Sequence, residues 1–322
     1  MTQKYRIDPS RIAANRRRNF VHAVVLVASM VVLLAAVGWL MAGPLGLVLI
    51  MIFATVTLLV GPRMSRQLML RIFSATPLRR EHVPMLYDLV DELRDRGSIE
   101  KRVQLFYIPS RLMLAFTVGG REEVSLAVSD GLLRRLTGRE ITGVLAHELS
   151  HVAHHDLRLM ALADFVTKVT RTLAFLAILL IAINLPYIME GESAIPWSPI
   201  VLLMFAPLLS VLLQLGLSRA REYNADAGAA QLTGDPEGIA SALKKMDAQQ
   251  RRYWENIFGR EGSLDQPSLL RTHPRTDARV AALAGMSRES SEHLPELPDD
   301  LIPGDMSRNP DKPRRRFHGF RY

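Results

Sequence analysis

Two long stretches of the chain carry almost no charge. Residues 21–60 contain no Asp, Glu, Lys or Arg, and residues 172–217 contain only Glu190 and Glu192. A helix needs about 20 apolar residues to cross a bilayer, with a lower limit near 17, so each stretch is long enough for two passes joined by a turn. In the first, residues 21–42 and 45–60 flank Gly43-Pro44; in the second, residues 172–189 and 195–217 flank Glu190-Gly191-Glu192-Ser193. The pattern predicts four transmembrane helices arranged as two hairpins. Pro196 and Pro199 stand at the entrance of the fourth, where proline is tolerated, whereas Pro207 is internal and predicts a kink.

Between the hairpins the periodicity changes. Residues 85–96 place Leu86, Leu89, Val90 and Leu93 at helical spacing, with Pro84 at the start and Gly97 at the stop. Residues 103–108, 112–118 and 124–128 are short, β-rich and broken by Pro109-Ser110 and Gly119-Gly120, which predicts a small antiparallel meander. Asp130 is placed to cap a short helix through Leu136, and Thr137-Gly138-Arg139-Glu140 has the form of a capping box opening another. Residues 63–80, basic with interspersed Leu, Met, Ile and Phe, fit a helix on the headgroup surface or a continuation of the second span.

Charge adds an orientation. Of 322 residues, 40 are Lys or Arg against 32 Asp or Glu, a net charge of +8. The arginines cluster beside the spans: Arg16, Arg17 and Arg18 before the first, Arg63, Arg66 and Arg71 after the second, and none at the hairpin tips. That asymmetry places both termini and residues 63–171 in the cytoplasm, with the chain a multi-pass protein of the cell's inner (cytoplasmic) membrane. It also accounts for the basic charge without nucleic acid, for which there is no aromatic-interleaved basic module. The absence of cysteine excludes a disulfide scaffold, a Cys-ligated metal centre and a cysteine nucleophile.

The helix opened by that capping box contains His147-Glu148-Leu149-Ser150-His151. Histidines four apart lie on one helical face and can reach one tetrahedral cation. Glu148 is rotated about 100° from His147 and suits a carboxylate that works on water beside the metal. A pair of surface histidines with a solvated glutamate would give the same pattern, so a third ligand is needed. Directly after the fourth span comes Ser218-Arg219-Ala220-Arg221-Glu222-Tyr223-Asn224-Ala225-Asp226. Glu222 and Asp226 share a face one turn apart, a ligand and an acceptor for a ligating histidine's other ring nitrogen. His154 and His155 are alternative ligands without a carboxylate partner at matching spacing.

Together these features resemble the HtpX-type membrane zinc metalloproteases, relatives of the CAAX prenyl proteases, over roughly residues 15–290. The resemblance implies one zinc ion held by His147, His151 and Glu222, with Glu148 as catalytic base and Asp226 as a supporting acid. Asp156 matches a further acidic position, and Thr272-His273-Pro274 followed by Asp277-Ala278-Arg279-Val280-Ala281-Ala282-Leu283 looks like the His-Pro motif of similar sequences. One position departs: where similar proteases carry Asn-Ala-Phe beside the active site, this chain has Leu114-Ala115-Phe116. Leu114 cannot donate a hydrogen bond to substrate or to a developing oxyanion, a loss worth about 10²–10³ in turnover unless His273 or Arg221 replaces it.

The fold class expected is therefore an α-helical integral membrane protein with an α+β, zincin-like cytoplasmic catalytic domain. Its parts are a basic terminus (1–20), a membrane hairpin (21–60), the first half of the protease (63–171), a second hairpin (172–217), the second half (218–290) and a disordered basic tail (291–322). The function expected is a zinc endopeptidase acting on membrane or misfolded proteins at the bilayer, in quality control and stress response. Two alternatives stand beside it: a processing protease for a defined lipidated substrate, and a membrane scaffold whose metal site is structural or vacant.

Overall fold

The structure is a computed structural model that describes residues 9–119, 123–154, 156–190, 197–258, 276–286, 294 and 297. Its first helical run, α1 (Pro9–Ile72), is not straight. In a straight helix residues 38 and 46 would stand about 12 Å apart along the axis, yet a Cβ added to Gly38 would meet the Gly46 carbonyl oxygen at 2.8 Å and Ile50 Cδ1 at 3.0 Å. The run doubles back at Gly43, whose φ of +57° is open to glycine at little cost. Two glycines let the arms approach backbone to backbone, as small residues do between membrane helices.

Beyond the second arm α1 continues as helix and docks on the sheet. Arg66 donates from Nε to Ser125 Oγ at 2.8 Å, from Nη1 to Glu123 Oε2 at 2.8 Å and from Nη2 to Gln104 Oε1 at 3.1 Å. The sheet comprises β1 (Thr76–Pro77), β2 (Arg102–Ile108), β3 (Ala115–Gly119) and β4 (Glu123–Ser129) in the order β1-β2-β4-β3. β2 and β4 are parallel; the other pairs are antiparallel. This mixed sheet corrects the expected antiparallel meander. β4 is buried along nearly its whole length, so it takes the centre, and the chain crosses past it to lay β3 on the outside before returning.

Helix α2 (Pro84–Arg96) buries Leu86, Leu89, Val90 and Leu93 against one face of the sheet. In α3 (Asp130–Arg135) the cap is Ser129, whose side chain accepts from Leu132 N; Asp130, expected to cap, instead accepts from Tyr107 Oη at 2.9 Å and pairs with Arg134. Helix α4 (Gly138–Ala153) opens on the capping box of Thr137 and Glu140, both halves formed. Glu140, buried, also accepts from Ser241 Oγ at 2.6 Å and Lys245 Nζ at 2.7 Å, which ties α4 to α7 (Pro236–Phe258). The main core gathers α2, α3, α4, one sheet face, the far end of α6 (Trp197–Thr233), α7, Leu283 of α8 (Thr276–Ala284) and Leu297. Leu297 is thus packed in the core although it falls within the stretch expected to be a disordered tail.

A second set of clusters joins α1, α5 (Asp156–Met189) and α6. Polar contacts bind α5 to α6: Thr167 Oγ1 donates to Gln214 Oε1 at 2.7 Å, and the Thr170 and Ser210 hydroxyls meet at 2.9 Å. Among the described residues, two helical stretches, not four, are long and apolar enough to cross a membrane: Val21–Leu40 and Ile200–Thr233. The second arm of α1 contributes the shorter apolar helix Gly43–Ile52. Helix α5 spends its first turns on Asp156, Arg158, Asp164, Lys168 and Arg171, and the apolar remainder, 172–189, spans roughly 27 Å against a hydrocarbon core of about 30 Å.

Candidate active site

Helix α4 reaches the site because its apolar face, Leu145, Leu149 and Val152, is buried in the main core, which turns His147 and His151 toward α6. The approach of α6 is close. A Cβ on Gly228 would lie 2.0 Å from Ser150 Oγ, so glycine lets the two helices meet two residues beyond Asp226. Helix α4 ends at Ala153 without Pro or Gly. His154 stands at the C-cap: its backbone N–H makes the helical bond to the Ser150 carbonyl at 3.0 Å, and its ring Nδ1 lies 2.7 Å from the same oxygen. His154 is therefore engaged away from the histidine pair, and His155 lies outside the described residues.

His147, His151 and Glu222 each offer a ligand atom, and these atoms lie within 4.8 Å of one another. Nε2 of His147 is 3.6 Å from Glu222 Oε2, and Nε2 of His151 is 3.9 Å from Glu222 Oε1. Tetrahedral zinc with bonds of about 2.0–2.1 Å holds its donors roughly 3.3–3.5 Å apart; the two distances to Glu222 lie close to that range, and the set as a whole, bounded at 4.8 Å, closes on a cation by small side-chain movements. On the far side of His147, Nδ1 lies 3.0 Å from Asp226 Oδ1. That approach is oblique, and Nδ1 is buried without an aligned acceptor. Rotation of the ring to present Nε2 to a cation would be completed by this contact.

The side chain that organises the carboxylates is Arg279 of α8. It donates from Nε to Asp226 Oδ2 at 2.7 Å and from Nη2 to Asp226 Oδ1 at 2.6 Å, and its Nη1 lies 2.9 Å from Glu222 Oε2. All three residues are buried. The donor set therefore suits a dication: with neutral histidines, a doubly charged ion and Arg279 together balance Glu148, Glu222 and Asp226.

Without the metal, a proton on His147 supplies one of those two charges. Burial alone would push the His147 imidazole down, but its contacts with Asp226 and Glu222 outweigh burial and push it up to about 10. That proton stabilises the metal-free fold fully below the ordinary histidine value of about 6.5, and the stabilisation fades as pH rises through about 10. Zinc has to displace it. We expect one proton released per zinc bound between pH 7 and 8, with affinity rising about tenfold per pH unit. Calorimetry in buffers of different ionisation enthalpy measures this; uptake without proton release would mean a neutral His147 in the metal-free protein.

Glu148 projects beside the ligands, and its Oε2 accepts from Thr117 Oγ1 of β3 at 3.1 Å. Leu114, just before β3, has its N–H on Ser129 Oγ and its carbonyl accepting from Ser129 N, both at 2.9 Å. Strand alternation assigns it the side of Phe116, which packs on Phe73 of α1 with ring centroids 5.0 Å apart, whereas Ala115 and Thr117 face α4. Arg221 is buried on α6 but turned about 100° from Glu222. His273 and the side chain of Asp156 lie outside the described residues. Sequence reasoning gave no role to Arg279 or Thr117. No local signal pointed to Arg279 beyond its being an arginine inside a short apolar helix.

The model of peptidase family M48 matches residues 86–287. The Protease HtpX of Legionella pneumophila (strain Lens) is 33% identical over 285 residues, covering 83% of this chain and 99% of that protein. A Protease HtpX homolog of Nostoc punctiforme is 32% identical over 282 residues, covering 84% and 97%. Among solved structures, S. mikatae Ste24p superposes with a TM-score of 0.50 at 18% identity, over 84% of this chain and 66% of that one, a likeness of fold. With more than half its length matched by that family model, and the helix, carboxylates and buried arginine converging on one metal-sized gap, the chain belongs to peptidase family M48 and is a metalloprotease.

Proposed function

We propose that the protein is a membrane-anchored zinc endopeptidase that cuts membrane or misfolded proteins at the cytoplasmic surface of the bilayer, with His147, His151 and Glu222 as ligands and Glu148 as general base. The observation that carries the chemistry is the convergence of three ligand atoms from two helices beside a carboxylate that is not one of them. Zinc bound there would supply Lewis-acid polarisation of the attacking water and the scissile carbonyl. Glu148 takes the proton of that water and returns it to the leaving amine nitrogen. Asp226 and Arg279 hold His147 and Glu222 in place through the buried contacts described above. β3 is the outermost strand beside Glu148, and an extended substrate can pair with its open edge through main-chain hydrogen bonds.

The membrane part of the reading rests on the two apolar helices and on large apolar side chains facing outward along α1, α5 and α6, among them Val32, Leu49, Phe175, Ile178, Phe205 and Leu208. Such a belt is stable against lipid and costly against water. Glu222 follows Leu217 by five residues in the same helix, about 7.5 Å of rise, so the metal centre sits near the headgroups. The arginine distribution supports the cytoplasmic side. Quality control of membrane proteins fits a site near the bilayer surface.

The test uses the full chain purified in detergent, with zinc measured per chain and cleavage of casein followed before and after removal of zinc with phenanthroline. Expected are one zinc per chain, loss of cleavage on its removal and recovery on its return. Cleavage that persists in zinc-free protein would overturn the proposal.

A further inference from the structure

Thr117 is a buried hydroxyl in a strand that does not call for one. Its neighbours Ala115, Phe116 and Val118 are apolar, and valine would suit the β-region at least as well as threonine. Burying an unpaired hydroxyl costs about 1–3 kcal/mol, and at 6% exposure this one has a single destination. It donates to Glu148 Oε2 at 3.1 Å. The donor is also stiff: β-branching restricts its χ1, and its backbone is registered opposite Leu126, which is fully buried in the central strand β4. Glu148, by contrast, reaches the site on a long side chain with three rotatable bonds, and among the described residues its Oε1 carries no hydrogen bond. The arrangement fixes one carboxylate oxygen and leaves the other for the proton transfer.

We infer that Thr117 is a positioning residue for this chain's catalytic carboxylate, holding Glu148 from the strand along which the substrate lies; the inference rests on the reading of Glu148 as the general base. It also makes β3 serve two ends, presenting a main-chain edge to the substrate while its inward side chain sets the base beside the bond to be cut. A peptide that pulled β3 out of register would thereby displace the base as well.

Thr117→Val removes the hydroxyl at nearly constant shape and Thr117→Ser retains it. In the full chain, Thr117→Val should lower kcat on a peptide substrate about tenfold or more, the loss expected for one hydrogen bond to a charged group, with KM within about twofold and zinc content unchanged. Thr117→Ser should stay within about threefold of the wild-type kcat. A Thr117→Val enzyme with wild-type kcat overturns the inference, as does a Thr117→Ser enzyme equally slow or a parallel change of kcat and KM, each of which marks a packing role. Cleavage retained by Glu148→Gln alone would instead overturn the reading of the base, a result distinct from any Thr117 outcome.

Discussion

Glu148→Gln should abolish proteolysis while leaving one zinc per chain and an unchanged thermal midpoint. The side chain stands beside the three ligand atoms and is not among them, so its charge is not needed to hold the metal. Its remaining contact tolerates the change: the amide oxygen of glutamine can still accept from Thr117 Oγ1, now 3.1 Å from Oε2. What the amide cannot do is accept a proton from water and pass it to an amine. General acid–base catalysis by one positioned group contributes about 10²–10⁴ in rate. Because Glu148 acts both on water and on the leaving group, the loss should fall at the upper end, below detection in a casein assay. Zinc analysis, melting curves and cleavage measured on one preparation separate the possibilities. A variant with full zinc and substantial cleavage would assign proton transfer to another group; a variant without zinc would make Glu148 a ligand.

The parts of this site that could be read from the sequence are those whose spacing is local. His147 and His151, or Glu222 and Asp226, are set by one helical turn, and Thr137 with Glu140 fixes the helix that carries the first pair. The facing of α2 was equally local. Contributions from distant chain were not legible in this way. Arg279 meets Asp226 across 53 residues, and nothing near either residue announces the other. Strand order is another case: alternation and turn residues locate β2, β3 and β4 but do not say which lies between the others. A clue was present in the apolar run of 124–128, which reads as a strand buried on both faces and hence central. The end of α4 carries neither Pro nor Gly: it falls at His154, whose ring Nδ1 lies 2.7 Å from the Ser150 carbonyl, and no turn residue marks it in the sequence. Among the described residues two stretches, where four were expected, have the length and hydropathy of a crossing; an uncharged run marks apolar surroundings without fixing how many times the chain crosses.

Arg279→Met should be the most destabilising change outside the ligands themselves, and its damage should depend on zinc. The guanidinium is 8% exposed and engages Asp226 at two points and Glu222 at a third. Methionine fills much of the same volume without the charge, leaving two buried carboxylates with protonated His147 as their nearby counter-charge. Breaking a buried ion pair by removing one partner costs about 3–5 kcal/mol. In the zinc-free protein that cost should appear as a large drop in thermal midpoint. With zinc bound, a dication beside Glu222 supplies much of the missing positive charge, so the drop should be smaller and the stabilisation by zinc larger than in the wild type. Activity should still fall about 10- to 100-fold with zinc present, as changes behind a metal ligand usually do, since Glu222 and His147 lose the contacts that orient them. Arg279→Lys should recover part of the stability and less of the activity, because an ammonium cannot make the two-point contact with Asp226. Melting curves at matched free zinc, with and without chelator, measure the difference. Equal losses of midpoint in both conditions would show that Arg279 packs α8 against α6 and does not govern the charge of the metal centre.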